Sequence, residues 1–468
     1  MNSKKWLSGA FVMALIAFMS GCGGMSTPPM TQEQMGTVFV TGTDAPLPSV
    51  VSFQVDITGL SVSDGMNPPV SVLNGTQTVD FARLNGLRTL LDINTIPTGT
   101  YTSVTATLAN PQIGYLNVNP PARPTISTLN GTTSPAVTLT TSSVTIPLAT
   151  PLVVSMGNII GLKFEFDIRK SIAVDGSGQI TGAVTPTLDL KAITPSDADA
   201  FIDDFVAGVV SVNASGNSFI IQGPHGHQFT VNVNGQTEWD GSETINSLTS
   251  TSIVEVSGTL DRTTATFLAD SVEILSQDRF FAGGLITFVN PPTNTATDFD
   301  LYVRSVLPSG TGFQSGEIST IDLTGNEKYF IHWMHNVWRN NLTNQLFNSA
   351  LLVPGQHVSI GGPFANGAVG VKRVVLRHEG HTGTLVANSV NLGASTFQFN
   401  SNGLAGVLFN GPVTVFVTPF TRFGGGLTKL SDLSSNPTNP LRVVGLILKD
   451  PISGQPVFVA RAIEELPN

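Results

Sequence analysis

From Thr37 onward, apolar and polar residues alternate in short runs. In "FEFDIR", Phe164, Phe166 and Ile168 fall on one side and Glu165, Asp167 and Arg169 on the other. A strand with one buried face has that two-residue period. "TVFVTG", "VSFQVDITGL", "TSVTATL" and "VTLTTSSVTIPL" follow the same rule, punctuated by Asn-Gly at 74, 85 and 130 and by "IPTGTY" at 96–101. Short, regularly spaced strands with Gly and Asn turns predict a β-sandwich over residues 36–193. One segment departs from the pattern. "PSDADAFIDDF" (195–205) places Ser196 as an N-cap with acids near the positive end, which predicts a linker helix over 194–205.

Beyond it the chain repeats itself. Three stretches open on Gly-x-apolar: Gly208-Val209-Val210, Gly283-Gly284-Leu285 and Gly383-Thr384-Leu385. Each continues into a strand with anchors two apart: Phe229, Val231 and Val233; Tyr329, Ile331 and Trp333; Val413, Val415 and Val417. Thr237, Val337 and Thr421 follow four residues later, with an aromatic close behind (Trp239, Trp338, Phe423). Next come Val254, Val256 and Gly258; Val358, Ile360 and Gly362; Leu441, Val443 and Gly445. The units close on "ADSVEIL", "VKRVVLR" and "ARAIEEL". Matched spacing at separate positions marks a tandem array. Units of about 70 to 95 residues have the size of a small closed barrel of the OB type. The expected fold is therefore all-β: a sandwich, then three small β-barrel (OB-like) units over 206–277, 278–378 (carrying an insertion) and 379–468.

The first residues have a different character. Lys4 and Lys5 precede an apolar run from Trp6 to Met19, followed by Ser20 and Gly21. This is the order of a secretory signal, and it is shorter than the roughly 20 residues of a spanning helix. Met19-Ser20-Gly21-Cys22 resembles a lipobox, with Met where bacterial lipoproteins usually carry Leu. The resemblance implies a leader over 1–21 and acylation at Cys22, the only cysteine in the chain. A lipidated thiol forms no stray disulfide in an oxidising compartment, and several acyl chains hold a protein firmly on a bilayer. Residues 22–35 read as a flexible tether. The lack of Asp after Cys22 favours the outer membrane, by resemblance to enterobacterial lipoproteins. Ordinary signal cleavage near Gly21, or a retained anchor helix, are the alternatives.

Charge narrows the partners. The chain has 22 Lys and Arg against 32 Asp and Glu, a net −10, and no basic run. Nucleic acid is therefore not an expected partner. Only 12% of residues are charged, which suits an exported β-protein.

Two family resemblances follow from motifs. "VTGTDAP", "IPTGTYTSV" and "FDIRKSIAVDGSGQITGAVTPTLDL" resemble the bacterial lipoprotein family called domain of unknown function 4382, over about residues 36–193. The repeats resemble domain of unknown function 5666, a small β-unit found in tandem in similar secreted proteins. The resemblances imply location and architecture, and they bring no catalytic residues.

Candidates for chemistry are few. His225 and His227, His332 and His335, and His378 and His381 come in pairs, yet none has the H-E-x-x-H spacing that puts two imidazoles and a Glu on one helix face. They read as loop and strand-surface residues, and no metal or cofactor is expected. Gly-x-Ser-x-Gly is absent from the sequence, and the acid pairs Asp203-Asp204 and Glu464-Glu465 read as solvated surface. Asp44 in "TDAP" reads as an Asx-turn before Pro46, or as a cation or ligand contact at a sandwich edge. The strongest binding candidate is "KYFIHWMHNVWRNNLTNQLF" (328–347), which holds two of the four tryptophans. There Trp338, Arg339 and Asn340 could grip a sugar through ring face and amides, unless the aromatics fill the barrel. The expected function is a lipid-anchored envelope protein with a non-catalytic binding or assembly role, its partner a glycan or an envelope protein. Carbohydrate or matrix recognition is the alternative among binding roles, and an envelope hydrolase is the alternative from another class.

Overall fold

The alternation in "FEFDIR" becomes a strand, Ile159–Asp167, with Phe164 and Phe166 fully buried. The computed structural model describes residues 34–466 apart from short interior stretches, the longest being 333–346, 223–227 and 403–407. Cys22, Trp338, Arg339 and Asn340 lie outside the described residues, as do His225, His227 and His335.

The N-terminal part is built on two facing sheets, beside a small one of Ile172–Val174, Ile180–Val184 and Thr138–Leu139. One orders Leu188–Ile193, Ile159–Asp167, Met35–Ala45 and Thr89–Pro97, its two central strands parallel from Thr37↔Ile159 to Ala45↔Asp167. The other is built on Val50–Ser63 and Gly99–Asn117, flanked by Val70–Ser71, Gln77–Asp80, Thr125–Leu129 and Ser143–Val154. Between them Phe53, Phe81, Phe164 and Phe166 form an aromatic centre, with Phe53 and Phe166 ring centroids 4.8 Å apart. In "TVFVTG", however, Val38, Phe39 and Val40 are all fully buried, not alternately exposed. Phe39 points away from the sandwich core and packs with Leu90 and Ile193 against the first repeat unit. The outer face of this sheet is itself an interface.

Among the described residues, the end of the predicted linker helix is strand instead. Ile202–Asn213 is a strand and the opening strand of the first unit. Its apolar positions find a partner edge in Ile253–Leu260, and ladder pairing outweighs the local capping signal. That first unit closes on itself, because Gln228–Asn232 pairs both with Ser218–Gln222 and, in parallel, with Phe267–Ile274. The third unit is a closed barrel of Glu379–Leu385, Thr396–Ser401, Val413–Gly424, Pro456–Glu465 and Pro440–Lys449. The second unit runs Ile318–Asp322, Asp298–Leu307, Phe280–Asn290, His357–Gly362, Arg373–Leu376 and Lys328–Ile331.

Register explains the repeat and corrects one part of it. Trp239 pairs with Val272 and Phe423 with Ile463, while Tyr329 pairs with Val374. Val272, Val374 and Ile463 are equivalent, since they face Val256, Ile360 and Val443. Tyr329 is therefore the counterpart of Trp239 and Phe423, not of Phe229 and Val413. The counterpart of Gln228–Asn232 is Ile318–Asp322, the strand that pairs with Asp298–Leu307. Thr237 and Thr421 are true equivalents: each Oγ1 donates to a last-strand carbonyl, of Ala269 and Ala460 respectively. The repeated glycines have a steric cause. A Cβ at Gly258, Gly362 or Gly445 would collide with the carbonyl oxygen of Leu268, Gly370 or Val459. Only glycine lets the backbones approach so closely.

Candidate functional site

The residues with unusual chemistry gather where the sandwich and the repeat units meet. In Ile253–Leu260, Val254 and Val256 point into the first barrel, so Glu255 points out; Glu273 stands directly opposite on Phe267–Ile274. Like charges opposite one another on neighbouring strands repel. Here both are buried, and a cation from the second unit joins them. Arg377, just past Arg373–Leu376, donates from Nη1 to Glu255 Oε1 (2.9 Å) and Glu273 Oε2 (2.7 Å). Its Nη2 reaches Glu273 Oε1 (3.1 Å), and its Nε donates to Ser359 Oγ (2.9 Å). His332 completes the group, with Nδ1 on Glu273 and Nε2 3.4 Å from Glu255 Oε1.

Burial alone would raise the Glu273 carboxyl, but Arg377 and His332 outweigh it and hold it far below the usual carboxylate range. Burial likewise pushes the His332 imidazole down, and the Glu273 carboxylate more than offsets this, leaving its pKa above the ordinary value. Glu255, Glu273 and His332 place three ligand atoms within 4.8 Å of one another, close enough for a metal ion. The Arg377 guanidinium is hydrogen-bonded to both carboxylates, so the protein itself supplies the cationic charge between them.

Two further ion groups bind the same modules. Arg304, on Asp298–Leu307 of the second unit, donates from Nη1 to both Glu379 oxygens of the third (2.7 and 2.9 Å). His357 Nδ1 donates to the His378 carbonyl at 2.8 Å and lies 3.3 Å from Glu379. Arg442 of the third unit bonds Glu464 on the neighbouring strand (3.0 Å) and Asp203 of the first unit (3.1 Å). Arg88 of the sandwich also reaches Glu464, at 3.4 Å. Glu255, Ser359 and Arg442 occupy the same position of the three repeats, opposite Glu273, Val375 and Glu464. In the first and third units that position bonds another module, through Glu255 and Arg442; in the second, Ser359 accepts from Arg377 of its own unit.

Several sequence expectations change accordingly. His332, His378 and His381 are buried, not on strand surfaces, and His381 packs inside the third unit against Phe409 and Phe458. Burial drives His378 well below the ordinary imidazole range and His381 to about 4. Asp203 and Glu464 are bonded joint residues, not solvated surface. Asp44 is neither in a local Asx-turn nor at a sandwich edge: it is buried and accepts the Ile168 N–H from the parallel neighbouring strand end, at 3.4 Å. Burial raises its carboxyl well above the usual range, and Oδ2 has no partner among the described residues. The signal available for the joint was the pair of Glu residues at matched positions of "VEV" and "VEI". Nothing local distinguishes such a pair from surface acids.

Sandwich, first unit and second unit also line a half-open cavity of about 210 Å³. Arg83, Arg88, Arg304 and Arg377 line it together with Asp80, Asp203 and Glu255, and phenylalanines 205, 229 and 281 form an apolar wall. No curated protein matches the chain. Residues 35–181, the greater part of the sandwich, match the family model described as Domain of unknown function (DUF4382).

Proposed function

We propose that this is an exported bacterial envelope protein, anchored through lipid on Cys22 at the outer membrane, with a non-catalytic binding or assembly role. Its repeat units over 206–277, 278–378 and 379–468 are read as relatives of domain of unknown function 5666. The observation that carries the reading is the set of joints. Arg377, Arg304 and Arg442 each bind a carboxylate of another module, so the buried charge fixes modules to one another and presents one rigid body to an envelope partner, glycan or protein. Removing one member of such a pair typically costs about 3–5 kcal/mol, which makes the joints stiff.

The test is fractionation and protease shaving of intact cells with wild type and Cys22→Ser, probed at the third unit. Lipid anchoring predicts that wild type sediments with outer membranes and Cys22→Ser is released. A Cys22→Ser chain that still sediments with membranes refutes the anchor. Degradation of wild type in intact cells places the binding surface outside; protection until the outer membrane is breached places it in the periplasm.

A further inference from the structure

The lining of the junction cavity is unevenly compensated. Its three acids already have partners: Glu255 bonds Arg377, Asp203 bonds Arg442, and Asp80 accepts from Ser52 Oγ and the Phe53 N–H, both at 2.8 Å. Arg88 and Arg377 are likewise bonded to carboxylates. Two donors are left over. Arg83 stands on the one-turn 3-10 helix Phe81–Leu84, anchored by buried Phe81. Among the described residues no acceptor is hydrogen-bonded to its guanidinium, and Asp80 acts on it only through its field. The second donor is Nε of Arg304, whose Nη1 is engaged by Glu379. That Nε is buried with no partner among the described residues, in a side chain only 9% exposed. A buried donor left unpaired is costly, and the Arg304 Nε borders the same cavity as the half-buried Arg83 guanidinium.

We propose that this cavity is a binding site for a small carboxylate bearing an apolar or aromatic group, its charge held by Arg83 and the Nε–H of Arg304. The planar guanidinium fork matches a carboxylate in shape and charge. The opposite wall accounts for the rest of the ligand. Phe205 and Phe229 meet edge to face at 5.7 Å, and buried Phe281 continues the surface. The volume of about 210 Å³ lies below the roughly 300–1,000 Å³ of sites for drug-sized ligands, so the ligand is small. Inorganic phosphate would leave the aromatic wall uncovered. The way in is the rim at Thr78, an exposed residue that also lines the cavity. This assignment rests on the binding role proposed above and names its ligand class.

The experiment is calorimetric titration of the full chain, in a non-ionic detergent, with phenylacetate, its uncharged near-isostere phenylacetamide, and inorganic phosphate at matched ionic strength. Saturable phenylacetate binding is expected, with phenylacetamide and phosphate each weaker by about tenfold or more. Arg83→Met should weaken phenylacetate by a similar factor, and Arg83→Lys by less, since it keeps charge without the fork. If Arg83→Met fails to fold, Thr78→Trp, which places bulk at the exposed rim, should abolish binding in a folded protein. No binding to folded wild type overturns the proposal. So does binding unchanged by Arg83→Met and Thr78→Trp, or phosphate binding as tightly as phenylacetate. Any of these, with Cys22-dependent membrane attachment intact, removes this ligand class and leaves the envelope role standing.

Discussion

Replacing Arg377 by Met is the sharpest perturbation of the joint between the first and second units. The change keeps much of the apolar stem and removes the guanidinium that, among the described residues, makes four hydrogen bonds, to Ser359 Oγ, Glu255 Oε1 and both oxygens of Glu273. Two buried carboxylates then face each other across neighbouring strands, with His332 as the remaining cation among the described residues. One imidazolium can compensate one carboxylate. The other loses its guanidinium partner and must stay charged in a buried site or take up a proton. Protonating a carboxyl of ordinary pKa about 4.3 at pH 7 costs about 3.7 kcal/mol, at 1.36 kcal/mol per unit, which caps the loss from that group. The expected destabilisation is therefore about 3–4 kcal/mol, in the range for breaking a buried ion pair. Calorimetric unfolding of the full chain in detergent reads it, with two internal checks. Arg377→Met with Glu255→Gln removes the surplus charge and should recover all but about 1–2 kcal/mol, the Ser359 hydroxyl still lacking its partner. In Arg377→Met the surplus carboxyl has a raised folded pKa, so the deficit should shrink as pH falls from 7 to 5. A loss under about 1 kcal/mol, or no recovery in the double variant, would refute the reasoning.

Gly258→Ala, Gly362→Ala and Gly445→Ala should each cost roughly 1–3 kcal/mol, because the added Cβ meets a backbone carbonyl that cannot yield without moving the neighbouring chain; Gly208→Ala, where a Cβ meets nothing within 4 Å, is the control, and equal thermal shifts in all four would refute the steric cause. Acid should loosen the third unit through His381, whose folded pKa is depressed to about 4 by burial. The unfolded chain protonates this residue near pH 6.5, so its contribution is fully present above that pH and falls by about 1.4 kcal/mol per unit down to about pH 4. His381→Gln should flatten that part of the stability–pH curve, and an unchanged slope would refute the assignment. His332 works in the opposite sense: its raised folded pKa gives stability that is present at low pH and lost as pH rises through that value.

Some of this protein was legible in the sequence because the relevant physics is local. A two-residue period forces side chains to alternate, so Phe164 and Phe166 were placed in a core before any partner was known. The Gly at the end of each "apolar-x-apolar-x-Gly" marked a position where only a missing Cβ allows two backbones to meet. Spacing preserved the equivalence of Thr237 and Thr421, since no insertion separates them from their strands. In the second unit a longer excursion shifted the pattern, and only the pairing Tyr329↔Val374 restored the true register.

Tertiary structure decided the rest. The face opposite a barrel's core is polar whether it meets water or another module, so Asp203 and Glu464 read as ordinary surface residues. Phe39 belonged to a half-buried strand until a second module covered its other side. The linker helix had a good cap and lost to a sheet edge that lies 50 residues away in the chain. Alternation and turn chemistry depend on neighbours in sequence, and the chain determined them alone. Which outward charges become desolvated, and therefore must find each other, depends on which faces pack together, and only the folded protein specifies that.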